Sequence, residues 1–224
     1  MLLHLETATA VCSAALSHKG QIVAYLESGE PRAHAAVLTI FIEELLGIAG
    51  IEAADVDAVS ISSGPGSYTG LRIASSVAKG FCYAAQKPLI AIDTLSIMAA
   101  GFVMDNKNIA PGALLCPMID ARRSEVFTAL YWADLTTVLP PAPMVLDEQS
   151  LAQHLTLNPI YFIGDGATKF EAMIEENSHA VFYPTFYPKA NHQLKLAEAK
   201  FANNAFEDIA YFEPNYLKEF YSGK

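Results

Sequence analysis

Three observations predict an α/β protein of two lobes, each a mixed sheet flanked by helices. Strand-like runs alternate with helical ones in both halves of the 224 residues, which is the pattern of mixed sheets covered by helices. A strand, a glycine-rich loop and a helix follow one another in each half. A polar stretch, Asp105–Gly112, separates the halves. The lobes are therefore placed at residues 1–103 and 104–224, the second the smaller in regular structure, with its tail expected to pack back on the first.

The elements follow in order. Leu2–Glu6, Val11–Ser17 and Gln21–Glu27 read as strands, the last two joined by the turn His18-Lys19-Gly20. A helix follows from about Ala33 to Gly50. Val56–Ser62 is a buried strand entering Gly64-Pro65-Gly66, and a second helix runs from about Gly70 to Ala85. Leu89–Ile92 is a strand. Asp93 or Thr94 caps a short helix that Gly101 is expected to stop. In the second half Ala113–Ile119 and Glu125–Trp132 read as strands around Arg122-Arg123-Ser124. Pro140, Pro141 and Pro143 mark an irregular segment. Pro159–Ile163 is a strand ending at Gly164-Asp165-Gly166, with a helix after it to about Asn177 and another near Gln193–Asn203. No internal repeat is visible at the residue level.

Composition narrows the function. Apolar residues make 52% and charged residues 17%, too apolar for a disordered chain. Fourteen Lys and Arg oppose twenty-four Asp and Glu, a net charge of −10. Residues 1–103 hold five basic against nine acidic residues, and residues 104–224 nine against fifteen, so neither half is a basic nucleic-acid domain. Cys12, Cys82 and Cys116 lack metal or redox spacing and read as buried free thiols of a reducing compartment. No apolar run reaches the roughly 18–20 residues of a membrane span, and the start does not read as a signal peptide. The expectation is a cytoplasmic protein with no membrane contact.

Two loops carry candidate chemistry. Gly64, Gly66, Ser67 and Thr69 lie in a tight turn before a helix, where free N–H groups can cradle an anion. The turn lacks the Lys-Ser/Thr of a Walker A loop, the third glycine of a dinucleotide fingerprint, and the flanking glycines of a nucleophile elbow. A structural turn with Ser67 or Thr69 as helix cap explains it equally. Glu6, Thr7 and Thr9 form a second hydroxyl-bearing loop, suited to a phosphate with Glu6 near its metal, or to a hairpin satisfying its own backbone. Gly164-Asp165-Gly166 is a third glycine loop, lining a cleft or entering a helix. No two histidines stand four apart, so no helix offers an imidazole pair to a metal, and no metal site is assigned.

The first helix is apolar over a wide arc: Val37, Phe41 and Leu45 on one face, Leu38, Ile42 and Leu46 beside it, Ile40 and Ile48 at its margin. The second is rich in small residues, among them Ala74, Ser75, Ser76, Ala78 and Gly80, which admit close helix approach. Burial within the chain and exposure to a partner both account for this pattern.

The runs LHLETATAVCSAAL, PRAHAAVL and SISSGPGSYTGLRIASSVAKGF resemble the TsaB (YeaZ) family, as do Ile119–Phe127, with its IDAR-x-x-E-V-aromatic pattern, and Pro214-Asn215-Tyr216-Leu217. The likeness covers nearly the whole chain and is strongest through residue 101. It implies the two-lobed actin/sugar-kinase/Hsp70-like (ASKHA) fold. It also implies a non-catalytic role in making threonylcarbamoyladenosine beside the tRNA anticodon, in support of the transferase TsaD, with the ATPase TsaE as a further partner. Self-association through the face offered to TsaD is implied too, with Val37, Phe41, Leu45, Ile73, Val77 and Phe81 as contact residues. TsaD holds its metal with H-x-x-x-H on the first long helix; here His34 stands without a second imidazole. Glu6 stands where many members have Asp. The implied protein has no catalytic residue and no cofactor of its own, with ATP or ADP at an interface of the complex, and meets tRNA only indirectly. The competing reading is a stand-alone ATP-dependent kinase or ATPase of the same fold, with Glu6, Asp93 and Asp165 as its acids. A hydrolase using Ser67 is a third.

Overall fold

The computed structural model describes residues 1–30, 34–175 and 177–217. Its first sheet holds β1 (Leu2–Glu6), β2 (Cys12–His18), β3 (Gln21–Ser28), β4 (Ala58–Gly64) and β5 (Leu89–Asp93) in the order β3-β2-β1-β4-β5. The first three pair antiparallel; β1, β4 and β5 pair parallel. The second sheet holds β6 (Leu114–Asp120), β7 (Glu125–Trp132), β8 (Thr137–Val145), β9 (Ile160–Ile163) and β10 (Ala180–Tyr183), in the order β10-β9-β6-β7-β8. Read from its other edge, this is the same arrangement of three antiparallel strands followed by two parallel ones. The architecture is thus duplicated although the residues show no repeat, and it is the two-lobed ASKHA fold.

Period-two alternation sorts each strand's side chains onto two faces. In β1, Leu3 and Leu5 enter the core beneath α1 (His34–Ala49) and α2 (Tyr68–Ala85), together with Leu16, Leu38, Leu45, Ile61 and Ala74. Leu2, His4 and Glu6 turn to the opposite face. That face is covered by α3 (Thr94–Asp105), a 3-10 turn at Ala190–Gln193 and α6 (Leu194–Ala202). The expected start of α1 at Ala33 lies outside the described residues.

Helix α3 joins the lobes. Its Ile97 packs with Leu2, Ile90 and Ile92 of the first sheet, while Leu95, Met98 and Phe102 pack with Leu115, Ile119 and Ile163 of the second. A helix apolar all round is one buried on all sides. The far face of the second sheet is closed by Leu155 from α4 (Ala152–Leu157) and Phe170 from α5 (Ala167–Glu171).

Three expectations are corrected. Gly101 does not stop α3, which continues to Asp105; it is glycine because the His192 ring lies against its Cα, leaving no space for a Cβ. The proline segment is not irregular but forms β8, at the sheet edge beside β7, where a residue without an N–H is tolerated and further pairing is discouraged. The helix after Gly166 ends at Glu171 rather than near Asn177. The three cysteines are free and buried, and burial raises their thiols to about 11 for Cys12 and Cys82 and about 12 for Cys116. Among the described residues no helix is long and apolar enough to cross a membrane.

Candidate functional site

The two candidate loops meet at the carboxyl ends of the parallel strands β1 and β4. Ser62 of β4 donates to Glu6 Oε1 at 2.7 Å, Thr7 Oγ1 donates to the Gly70 carbonyl at 2.7 Å, and Ser67 N donates to the Ala8 carbonyl at 2.7 Å. The structure thus brings Glu6, Thr7, Gly64, Gly66 and Ser67 into one unit, while Thr69 is exposed on the first turn of α2. Thr9 lies beside them, its hydroxyl oxygen buried and without a hydrogen-bond partner among the described residues.

The glycines of this unit face the chain's own backbone. A Cβ on Gly66 would lie 2.5 Å from the Ala8 carbonyl oxygen, and one on Gly70 would overlap the Thr7 carbonyl. Gly64, at φ +108° before a cis peptide to Pro65, is covered by the Asn215 carbonyl of the tail, so a side chain there is both strained and blocked. Ser67 caps α2, its Oγ accepting from Gly70 N at 3.2 Å. That is the work of a structural turn.

Glu6 is fully buried and occupied. Its Oε1 also accepts from Ala8 N at 2.8 Å, and its Oε2 accepts from Gln193 Nε2 at 3.3 Å. Burial raises its carboxyl above the ordinary range, against the lowering effect of these bonds. Gln193, which the sequence did not single out, extends this cluster into a buried polar chain. Its Nε2 also donates to Leu5 O at 2.8 Å, and its Oε1 accepts from Ser60 Oγ at 2.7 Å. Since the Ser60 proton goes to Gln193, its oxygen accepts from His4 Nδ1 at 2.7 Å, and His4 Nε2 accepts from Ser17 Oγ at 2.8 Å. Burial lowers His4 to about 3 and keeps the ring neutral. No local motif marks these residues; their only signal is that β1's alternation sends His4 and Glu6 inward on one face.

The other two candidate acids hold backbone elsewhere. Asp93 caps α3, accepting from Ser96 N at 2.9 Å, and burial raises its carboxyl. With Ser63, Lys200 and Glu207 it lines an open cleft of about 520 Å³. Asp165 accepts from Asp120 N at 3.0 Å in the second lobe. Among the described residues no group of three His, Cys, Asp or Glu could hold a metal ion.

The tail crosses the glycine loop. Asn215 N donates to Ser63 O at 2.6 Å, the Tyr216 ring lies 5.0 Å from Tyr68, and Arg72, stacked over Tyr68 at 4.1 Å, donates to the Tyr216 hydroxyl at 3.2 Å. The glycine-loop motif and the Pro214-Asn215-Tyr216-Leu217 motif, about 150 residues apart in sequence, form one contact.

Helices α1 and α2 lie side by side over the first sheet. Val37, Phe41, Ile73, Val77 and Phe81 are half-buried, packed on the core with their outer sides open. Leu45 is a correction: it is 0% exposed, because Leu38, Ile42 and Leu45 form the i, i+4, i+7 stripe that enters the core. The outer face instead carries Ile40, 49% exposed, and Ile48, 63% exposed. On α2, the small residues Ser76, Gly80 and Ala84 recur every fourth position on the exposed side, and nothing lies within 4 Å of a Cβ built on Gly47 or Gly80.

A family profile described as TsaD, tRNA N6-adenosine threonylcarbamoyltransferase, matches residues 29–221. The chain is 29% identical to the tRNA threonylcarbamoyladenosine biosynthesis protein TsaB of Escherichia coli, over 97% of this chain and 94% of that protein. It is 28% identical to the TsaB of Haemophilus influenzae, over 97% and 93%. Among solved structures, YeaZ from Pseudomonas aeruginosa superposes with a TM-score of 0.82 at 30% identity, covering 96% of this chain and 99% of that one. A second Pseudomonas aeruginosa structure, described as similar to peptidase YEAZ, gives a TM-score of 0.85 at 28% identity, covering 97% and 99%.

Proposed function

Because the chain belongs to the family of TsaD-type threonylcarbamoyltransferases, among its TsaB (YeaZ) members, we propose that it serves tRNA threonylcarbamoyladenosine biosynthesis as a non-catalytic subunit docked on TsaD. The observation that carries this reading is a contrast between two parts of the first lobe. The loops where a free-standing kinase or ATPase needs a disengaged acid are closed on themselves, with Glu6 held by Ser62, Ala8 and Gln193. The outer faces of α1 and α2 stay open, with Ile40, Ile48 and the Ser76-Gly80-Ala84 row exposed beside Thr39, Glu43 and Glu44. Small residues at fourth positions let a partner helix approach closely, and apolar neighbours give that approach its free energy.

A metal site on α1 has no support here: His34 is followed four residues later by Leu38, which lies in the core. The same helix face accounts for a homodimer when TsaD is absent. ATP or ADP belongs at the interface with TsaD, TsaE joins the assembled pair, and with a net charge of −10 most of the tRNA contact falls to the partners.

Reconstitution tests this. TsaD, TsaE, tRNA and threonylcarbamoyl-AMP are combined with and without this chain, and modified tRNA is measured by mass spectrometry. Product is expected only with the chain present. Equal product in both reactions, or rapid magnesium-dependent ATP hydrolysis by the isolated chain, would overturn the reading.

A further inference from the structure

The β6–β7 hairpin ends in two adjacent arginines that the function above does not use. Arg122 and Arg123 adopt φ of +71° and +50°, the left-handed region where a Cβ crowds the following carbonyl and where turns favour Gly or Asn. A tip chosen for ease of turning would carry one of these, and this tip carries neither. Both side chains are exposed.

The carboxylates nearby are committed to building the turn. Asp120 Oδ1 accepts from Arg122 N at 2.6 Å and from Lys169 Nζ at 2.7 Å, and Asp165 Oδ1 accepts from Asp120 N at 3.0 Å. Lys169 also donates to Glu125 O at 3.0 Å. Asp120 therefore hydrogen-bonds the backbone of Arg122, and the Arg122 charge acts on its carboxylate only through space. Among the described residues neither guanidinium forms an ion pair. Four other cations are engaged within the chain: Arg72 with Tyr216, Lys79 with Phe212 O, Lys189 with Glu27 and Lys200 with Ala91 O.

We propose that the Arg122–Arg123 tip is this chain's own contact with tRNA, binding backbone phosphates once the chain is seated in the assembly. Guanidinium groups take phosphate oxygens through paired N–H donors. The tip is exposed, and the cleft of about 520 Å³ described above does not include it. A free nucleotide needs enclosure to be held; a polymer held elsewhere by a partner does not. The inference rests on the proposed role beside TsaD and adds one direct contact to it.

The test uses the complex of this chain with TsaD and fluorescently labelled tRNA, with affinity measured by anisotropy across a series of KCl concentrations. Arg122→Ala/Arg123→Ala is expected to weaken binding roughly tenfold at physiological salt and to make the slope of log K against log salt shallower by about one to two. Arg122→Lys/Arg123→Lys keeps the charge and is expected to keep the slope. Size-exclusion chromatography and thermal unfolding show that each variant is folded and bound to TsaD. An intact complex with an unchanged slope overturns the tip contact alone. Loss of ATP binding with unchanged tRNA binding also overturns it. Failure of the wild-type chain to form the complex strikes the parent reading, and this contact with it.

Discussion

The imidazole of His192 lies flat against the Cα of Gly101, on its other side stacked parallel to Phe186 with ring centres 5.4 Å apart and planes 5° apart. The helix joining the two sheets is thereby keyed to the turn that carries Gln193. His192 Nδ1 accepts from Lys189 N at 3.2 Å, so the ring proton sits on Nε2, 3.3 Å from Asp105 Oδ2.

Gly101→Ala is expected to destabilise the protein by about 1–3 kcal/mol, because the ring it displaces is clamped and cannot yield. Combining it with His192→Ala should recover much of that loss, since the second change removes the obstacle. Urea unfolding of the two single variants and the double variant measures the coupling. Additive losses would mean that the contact is not the cause.

Stability should also depend on pH, through groups that pull in opposite directions. Burial lowers His4 to about 3 and His192 to about 4, below the ordinary 6.5. In the window between those values the unfolded chain binds more protons. The stability from each neutral ring is complete above pH 6.5 and is lost as pH falls, by about 1–2 kcal/mol per histidine between pH 7 and 5. Glu6 runs the other way. Its carboxyl is raised above 4.5, so its contribution is complete below 4.5 and is lost as pH rises through the elevated value. Glu6→Gln, which cannot ionise, should therefore gain on the wild type between pH 5 and pH 8 in urea midpoint. A difference constant across that range would mean that folding does not raise the Glu6 carboxyl.

On α1, two leucine-sized positions three residues apart should behave differently. Leu45→Asp places a charge in the first-lobe core and is expected to abolish folding, losing more than about 4 kcal/mol. Ile48→Asp meets water and should leave thermal unfolding within about 0.5 kcal/mol of the wild type, while abolishing co-elution with TsaD. Phe41→Asp, half-buried, should weaken both. Co-elution of the Ile48 variant at wild-type strength would move the docking face elsewhere.

The parts of the fold written in local pattern could be read before the structure. The ten strands and helices from β1 to β7 are marked by runs of apolar residues and by glycine turns. The β8 strand could not be, because Pro140, Pro141 and Pro143 argue against a strand unless its edge position is known. Glu6 and Thr7, and separately the glycine loop, were identifiable as candidate loops from their residue types. Their condition was not, since Gln193, Asn215 and Tyr216 reach them from more than a hundred residues away. The phase of α1 was likewise ambiguous: a helix apolar on most sides does not say which stripe is core until the sheet beneath it is placed. Ile40 and Ile48 stood at the margin of the apolar arc and proved to be its outermost members.

The tail's path bears on how the protein is made. Ile209 and Phe212 pack on the first-lobe core, and Glu207 N bonds to Leu89 O at the free edge of that lobe's sheet. On the ribosome, strands β1 to β5 emerge long before these residues do. The lobe synthesised first is thus completed last, and until residues 207–216 arrive its sheet edge and the floor beneath α2 remain open to other nascent chains.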